Sequence, residues 1–206
     1  MTPPHPRQLR RIEPAYRGMR IGLFGGSFNP AHEGHAHVAE TALKRLALDR
    51  VWWLVTPQNP LKDTRETAPL AARLANARRF ARNPRMVVSD IETRWGVRFS
   101  VDLIEELHRR FPGVRFIWVM GSDNLLNFHQ WRRWRRVMES MPIAFVARPG
   151  ALARARLAPA ARTYRHALKP PRALAGARAP AWSFLDGPLV AASSTMLRRL
   201  GAQASA

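Results

Sequence analysis

The stretch that decides the fold is RIGLFGGSFNPAHEGH, which occupies residues 20–35. It begins as an apolar strand and runs without a break into Gly25 and Gly26. Two glycines permit a tight turn and the close approach of a ligand to the backbone, and the asparagine-proline pair that follows is a turn signal. A helix is predicted to begin near His32, so its free N–H groups point at the turn and form a site for an anion.

The two histidines His32 and His35 are spaced so that they share one face at the positive end of this predicted helix, whereas His37 falls on another face. Imidazoles in that position can donate hydrogen bonds to phosphate oxygens. A zinc-protease helix needs histidines four residues apart, and a Walker loop needs Gly-Lys-Ser/Thr, so neither is predicted. The dinucleotide G-x-G-x-x-G fingerprint is also missing. A structural turn with incidental histidines stays open as the alternative.

The rest of the chain alternates short strand-like runs with amphipathic helical stretches, which predicts βαβ units and an open, mostly parallel α/β sheet. Several of the runs are apolar on both faces, so helices are expected to cover both sides of the sheet. The predicted strands are residues 19–24, 51–56, 86–90, 115–120, 143–147 and 182–185.

Length and composition indicate one globular domain, since the chain has 206 residues of which 46% are apolar. We expect a flexible N-terminal arm over residues 1–18, a single domain over 19–201 and a tail over 202–206, with an irregular or poorly packed connection at 148–180. Cysteine is absent, which excludes disulfides and thiolate metal sites. No membrane helix or secretory signal is predicted, and a cytoplasmic location is expected.

The net charge of +20 at pH 7 is large for a chain of this size. Such a charge attracts anions and invites non-specific binding to nucleic acid. A compositional preference for arginine explains it equally, because lysine occurs only at residues 44, 62 and 169. No specific nucleic-acid partner is predicted, and the oligomeric state is not indicated.

A second candidate anion site lies near the end of the chain, in the stretch ASSTMLR at residues 192–198. Serine or threonine before an apolar helical run is an N-cap signal. Hydroxyls from Ser193 and Thr195 and the guanidinium of Arg198 can together grip a phosphate. An ordinary capped helix with an exposed arginine is the alternative.

Two further segments follow the predicted fourth strand. Gly121 and Asp123 stand at its carboxyl end, where ligands of open α/β sheets bind, and Asp123 can hold ribose hydroxyls. A helix cap is the structural alternative. The aromatic and basic run at 128–136 can mean nucleic-acid stacking, but we favour a helix that buries Trp131, Trp134 and Met138 on one face.

These motifs together resemble the nucleotidyltransferase superfamily that carries the H-x-G-H signature. Residues 26–30 followed by His32-x-Gly34-His35 are similar to its first signature, and Ser193, Thr195 and Arg198 match its second, Ser-x-Thr-x-x-Arg. The resemblance implies a Rossmann-like fold and transfer of a nucleotidyl group from ATP. Asn29 stands where that superfamily more often has Asp, which removes a charge but keeps the turn-forming ability.

Within that superfamily the chain resembles the bacterial nicotinate-nucleotide adenylyltransferases from about residue 20 to residue 198, most weakly across 148–180. Segments 56–62, 98–100 and 121–131 carry this likeness. It implies transfer of AMP from ATP to nicotinate mononucleotide, with pyrophosphate released and Mg²⁺ held by substrate phosphates rather than by protein ligands.

The resemblance also implies a role for each site residue. Catalysis is assigned to His35, His32 and Arg198, and ATP or phosphate binding to Gly25, Gly26, Ser27, Lys62, Gly121, Asp123, Ser193 and Thr195. The mononucleotide contacts are assigned to Phe28, Asn59, Ser100 and Trp131. Two other functions stay open: an adenylyltransferase of the same superfamily that acts on nicotinamide mononucleotide or phosphopantetheine, and a basic nucleic-acid-binding protein.

Overall fold

The described part of the chain forms one six-stranded parallel sheet in a computed structural model, which describes residues 13–57, 67–149 and 152–187. All five strand pairings are parallel. The strands are β1 (Arg20–Gly26), β2 (Arg50–Val55), β3 (Met86–Ser89), β4 (Arg115–Gly121), β5 (Ile143–Val146) and β6 (Trp182–Leu185).

The strand order is β3-β2-β1-β4-β5-β6, so the chain winds outward from β1 in one direction and then in the other. Phe24 of β1 pairs with Trp53 of β2 on one side and with Val119 of β4 on the other. The order therefore reverses between β1 and β4. Ligands of open α/β sheets bind at such a reversal, outside the carboxyl ends of the strands.

Helices cover both faces of this sheet, as the sequence predicts. They are α1 (Glu33–Arg45), α2 (Leu70–Phe80), α3 (Ile91–Trp95), α4 (Ser100–Arg110), α5 (Trp134–Ser140), α6 (Leu152–Arg156), α7 (Pro159–Thr163) and α8 (Pro171–Leu174). Alternate residues of β2 enter separate cores: Trp52 lies in the core that contains α4 residues, and Trp53 lies in the core that contains α1 residues. This burial on both faces explains why the strands read as continuous apolar runs.

All six predicted strands are present within one or two residues of their predicted bounds. The main difference lies at the glycine pair, because β1 continues through Gly25 and Gly26, which pair with Leu54 and Val55 of β2. The expectation that the chain turns at these glycines is therefore wrong, and the turn begins at Ser27. Pairing with β2 extends β1 to Gly26, the last residue before the segment that leads into α1.

The described portion of the expected N-terminal arm is docked rather than loose. Glu13 is 6% exposed and accepts hydrogen bonds from the Ser89 hydroxyl and from the Arg94 guanidinium. These contacts attach residues 13–18 to the carboxyl end of β3 and to α3. Residues 1–12 lie outside the described part of the chain.

The connection at 148–180 is also better packed than its composition suggests. Its described residues form short helices, and Ala155, Ala160 and Leu174 are fully buried against the two cores. Small alanine side chains let α6 and α7 pack against the 3₁₀ helices that follow β4 and let the connection bury part of its surface. Within the described residues, no helix is long and apolar enough to span a membrane.

Candidate functional site

A pair of imidazoles in close contact lies at the start of α1, beyond the carboxyl end of β1. His32 is the N-cap residue of α1 and His35 lies in its first turn. Their ring centroids are 3.8 Å apart, which confirms that the two side chains share one face. The pair sits where the strand order reverses, so both the fold and the helix dipole direct an anion to this point.

Burial keeps both imidazoles neutral. The pKa of His32 is lowered to about 4, mainly by burial and further by the positive charge of Arg148. The pKa of His35 is lowered to about 3, mainly by burial and further by His32 and Arg148. Near neutral pH each ring therefore carries one N–H donor and one acceptor nitrogen.

One backbone contact fixes which nitrogen of His35 carries the proton. The backbone N–H of His32 donates to Nδ1 of His35 over 3.2 Å. In the neutral ring Nδ1 is then the acceptor, so Nε2 carries the proton and is the donor. The Nδ1 atom of His32 is buried without a hydrogen-bond partner among the described residues. Such an unsatisfied polar atom is costly in a folded chain, and its presence here indicates a site for a polar ligand.

Arg148 completes this side of the site, and sequence reasoning missed it. It follows β5 by two residues, its backbone N–H donates to the Ser122 hydroxyl over 3.0 Å, and its guanidinium pairs with Asp123 at 3.3 Å. Asp123 is therefore linked to the imidazole pair through Arg148, which lies close to both. Neither Asp123 nor Ser122 caps the 3₁₀ helix that follows β4 by a side-chain hydrogen bond.

Two glycines of the predicted motifs make room for Arg148. A Cβ atom added at Gly34 would lie 2.9 Å from the Arg148 guanidinium and 2.9 Å from the His32 ring. A Cβ added at Gly121 would lie 2.4 Å from the Asp123 carboxylate and 2.7 Å from the Arg148 side chain. Any side chain at position 34 or position 121 would crowd Arg148. These two glycines were the only indication in the sequence that a large side chain lies at this point.

The ring of Phe28 packs against the imidazole of His35. It is 1% exposed, it stacks on Trp53 at 5.1 Å between centroids, and its edge meets the His35 ring at 5.0 Å. This position corrects the prediction that Phe28 contacts the mononucleotide, because the ring is covered by core residues. Its contacts instead hold the imidazole of His35 in place.

The turn between β1 and α1 is tied to the chain that follows β2. The Asn29 side-chain oxygen accepts a hydrogen bond from the Ala68 backbone N–H at 3.2 Å. The Ala31 backbone N–H donates to the side-chain oxygen of Asn76, on α2, over 2.7 Å. A carboxylate oxygen at position 29 would accept the same bond, so the departure from Asp preserves this contact.

The predicted mononucleotide contacts Ser100 and Trp131 belong to elements on the face of the sheet opposite α1. Ser100 begins α4 as predicted, and Trp131 packs edge-on against Trp118 at 6.3 Å between centroids. The guanidinium of Arg132 lies 4.5 Å from the ring centroid of Phe99, which brings the start of α4 beside the Trp131 segment. Trp131 and Trp134 are partly buried against the core and Met138 is fully buried, as the preferred interpretation of this run predicts.

The remaining predicted site residues lie outside the described part of the chain: Asn59, Lys62, Ser193, Thr195 and Arg198. The predicted helix at 193–200 lies there too. The described chain reaches α1 shortly before that segment, because a Cβ added at Gly187 would lie 3.5 Å from the Thr41 side chain. Among the residues that can be described, no group of three or more His, Asp or Glu side chains is arranged to hold a metal ion.

Residues 23–200 match the model of the cytidylyltransferase-like family. The chain is 58% identical over 183 residues to a protein of a Caulobacter species, with 87% of this chain and 97% of the relative covered. It is 55% identical over 183 residues to a protein of Cereibacter sphaeroides, with 89% and 98% covered. Both relatives bear the name "Probable nicotinate-nucleotide adenylyltransferase".

A solved structure with a similar fold is Plasmodium falciparum nicotinic acid mononucleotide adenylyltransferase complexed with NaAD, which superimposes with a TM-score of 0.68. The alignment covers 88% of this chain and 83% of that one at 14% sequence identity. The superposition, at this low sequence identity, shows a shared Rossmann-like architecture.

Proposed function

The chain belongs to the cytidylyltransferase-like family and, within it, to the nicotinate-nucleotide adenylyltransferases, and on that premise we propose how it transfers AMP from ATP to nicotinate mononucleotide. The products are nicotinate adenine dinucleotide and pyrophosphate, which makes the reaction a step of NAD biosynthesis. The neutral, desolvated imidazole pair at the start of α1, beside Arg148, carries the assignment of the catalytic site.

The reaction forms one P–O bond and breaks another. A phosphate oxygen of the mononucleotide attacks the α-phosphorus of ATP, and the bond from that phosphorus to the bridging oxygen of the pyrophosphate group breaks. The attacking oxygen is already ionised near neutral pH, so no general base is needed. Catalysis then depends on the placement of the reactants and on stabilisation of the charge that develops on the phosphoryl oxygens.

The imidazole pair supplies that stabilisation. The Nε2–H group of His35 donates a hydrogen bond to phosphate oxygens around the α-phosphorus, because Nδ1 already accepts one from the His32 backbone N–H. A neutral donor in a desolvated site needs no reorganisation of solvent when charge builds up in the transition state. His32, whose Nδ1 has no described partner, contacts the same triphosphate. Gly25, Gly26 and Ser27 bring the backbone close to the phosphates.

The two ends of ATP are held by separate groups. Asp123 accepts hydrogen bonds from the ribose hydroxyls, and its ion pair with Arg148 orients the carboxylate beside Gly121. Ser193, Thr195 and Arg198 grip the leaving pyrophosphate, and Lys62 neutralises phosphate charge. These last four assignments are supported by the signature residues in the sequence.

The acceptor nucleotide lies on the far side of β4, against Ser100 and Trp131. Support for this comes from the Arg132 contact with the Phe99 ring, which places the start of α4 and the Trp131 segment side by side. Asn59 contributes from the loop after β2. The hydroxyl of Ser100, which is partly buried, and the free amide donors at the start of α4 suit a carboxylate on the pyridine ring.

Magnesium fits this site only through substrate. Asp123 is the carboxylate linked to the imidazole pair through its ion pair with Arg148, so the donor set favours a cation bound mainly by phosphate oxygens. When bound, Mg²⁺ would neutralise charge on the triphosphate and the departing pyrophosphate. The reaction is assigned to the cytoplasm, in line with the sequence-based expectation.

A pyrophosphate-release assay tests the function directly. The chain is incubated with ATP and Mg²⁺ and with nicotinate mononucleotide, nicotinamide mononucleotide or phosphopantetheine as acceptor. We expect nicotinate mononucleotide to be preferred by about tenfold or more in kcat/KM, because a site with donors for a carboxylate leaves them unpaired against an amide. Equal or better turnover of another acceptor would move the chain elsewhere in the same superfamily.

A further inference from the structure

The strongest feature that the catalytic assignment does not use is a buried arginine on α2. Arg73 is 2% exposed, although the neighbouring Arg78 and Arg79 on the same helix are exposed. A charged side chain is rarely buried so completely without a specific set of partners, since removal from water is costly. Burial also lowers the pKa of its guanidinium.

The guanidinium of Arg73 is bound by backbone carbonyl groups. Its Nη1 donates to Ser27 at 2.9 Å and to Thr56 at 2.7 Å, its Nη2 donates to Pro57 at 2.7 Å, and its Nε donates to Ala68 at 2.9 Å. All four acceptors are main-chain oxygens, and they come from three separate parts of the chain. We call this guanidinium with its four acceptors the Arg73 clamp.

The Arg73 clamp joins residues 27–31, which we call the phosphate turn, to the chain on either side of residues 58–66. Thr56 and Pro57 precede residues 58–66, and Ala68 follows them, so Arg73 binds both ends of the segment that contains Asn59 and Lys62. Ser27 opens the turn that leads to the imidazole pair. Only a planar fork with several fixed N–H directions can reach carbonyl groups on separate segments at once.

Neighbouring contacts reinforce the same connection. Asn76, one turn further along α2, accepts a hydrogen bond from the Ala31 backbone N–H. The Ala68 N–H donates to Asn29 while its carbonyl accepts from Arg73. The Thr56 N–H donates to the Gly26 carbonyl at 3.0 Å. The turn and the loop ends therefore form one hydrogen-bonded unit, with Arg73 bonded to each part of it.

We propose that Arg73 is a positioning residue that holds the phosphate turn, residues 27–31, at a fixed separation from Thr56, Pro57 and Ala68, so that the groups assigned to ATP and to the mononucleotide meet in reactive geometry. Its kinetic consequence rests on the proposed function, whereas its mechanical role does not. Arg73 contacts neither substrate in this scheme and acts through the backbone of Ser27, Thr56 and Pro57.

The kinetic test compares Arg73→Lys with the matched control Arg78→Lys. Lysine keeps the charge but presents its donors from a single atom, so it cannot span the separated carbonyls. We expect kcat/KM per folded molecule to fall about 10- to 100-fold in Arg73→Lys, with a drop in kcat and a rise in KM for both substrates, because small misplacements of reacting groups are costly. Arg78→Lys should match the wild type. Constants within about twofold of the wild type in folded Arg73→Lys would overturn the positioning role.

Amide hydrogen exchange provides a second readout that needs no turnover. In Arg73→Lys, exchange of the hydrogen-bonded amides of Ala31, Thr56 and Ala68 should accelerate together while β4 keeps its protection. Acceleration confined to α2, or uniform over the whole chain, would show a merely structural arginine. If the wild type shows no adenylyltransferase turnover, the proposed function fails, and exchange still decides whether the clamp exists.

The wild-type chain alone also tests the clamp, which covers the case in which Arg73→Lys does not fold. Segments held by one side chain should open as one cooperative unit, so the amides of Ala31, Thr56 and Ala68 should show the same opening free energy under native conditions. Different opening free energies for these three amides would contradict the coupling.

Discussion

The two sides of the turn after β1 hold buried basic groups of opposite character. On the α2 side, Arg73 is fully buried and donates to four backbone carbonyls. On the β4 side, His32 is 4% exposed and its Nδ1 has no hydrogen-bond partner among the described residues. The first group is satisfied by the protein itself, whereas the second is left for a ligand.

Electrostatics separates the two sides as well. Arg148 lies close enough to lower the pKa of both histidines, so the rings stay neutral and the positive charge at this point is that of Arg148. The comparison teaches that, around this turn, the group without a protein partner is the candidate for ligand contact and the satisfied group belongs to the scaffold.

The largest expected effect comes from His35→Ala. Removal of one preorganised donor to a developing negative charge typically costs about 100- to 1,000-fold in kcat. We expect a loss of that size with a melting temperature close to the wild type, because the ring is only partly buried. The matched control is His37→Ala, which removes an imidazole that lies near Thr41 instead. Steady-state kinetics check this, and near-normal turnover in His35→Ala would remove His35 from the mechanism.

A smaller effect is expected from Arg148→Gln. The substitution removes the ion pair with Asp123 and a positive charge beside the imidazoles, so KM for ATP should rise about tenfold. The pKa values of His32 and His35 should also rise, since Arg148 lowers both. Nuclear magnetic resonance titration of the imidazole C–H signals measures the second effect. Arg154→Gln, at an exposed position, is the control, and unchanged histidine pKa values in Arg148→Gln would contradict the assigned electrostatics.

The same histidines make stability depend on pH. Their folded pKa values of about 4 and about 3 lie below the ordinary value of 6.5, so on acidification the unfolded chain takes up protons before the folded chain does. The free energy of unfolding is therefore unaffected by them above 6.5 and falls as the pH drops from 6.5 toward 4.

Thermal melts check this pH dependence. Between about pH 7.5 and about pH 5, the melting temperature of the wild type should fall more than that of the doubly substituted His32→Asn, His35→Asn chain, which lacks both titrating rings. Parallel curves for the two proteins would show that the imidazoles titrate normally.

The smallest effect is expected from Asn29→Asp, which restores the residue more usual in the superfamily. A carboxylate oxygen can accept the same bond from the Ala68 N–H, so kcat/KM should stay within about threefold of the wild type. Asn29→Leu, which cannot accept that bond, should lose more. Equal losses in both variants would show that this contact does not hold the turn.

Sequence reasoning recovered the sheet because the strands are buried on both faces and therefore stand out as apolar runs between helical patterns. It also recovered the imidazole pair, since helical spacing alone places residues 32 and 35 on one face. It missed Arg73 and Arg148 for a shared reason. The contacts of both residues join segments that are distant in the chain, so no local pattern marks them. In addition, the carbonyls that accept from Arg73 belong to the backbone and leave no signature in the residue type.

The packed helices at 148–180 were missed for a different reason. Alanine and arginine alternate there without a strong apolar period, so the pattern does not distinguish a buried short helix from a loose connection. Burial of residues such as Ala155 and Ala160 is decided by the space beside the 3₁₀ helices that follow β4. Such space is a property of the assembled fold.

The aromatic stack beneath the phosphate turn has an optical consequence. Trp53 is fully buried, stacks on Phe28 and lies 6.4 Å from the His35 ring between centroids. A protonated imidazole quenches indole emission by accepting an electron from the excited state, and a neutral one does so far less. The difference in emission between the wild type and Trp53→Phe would therefore report the charge on the imidazole of His35.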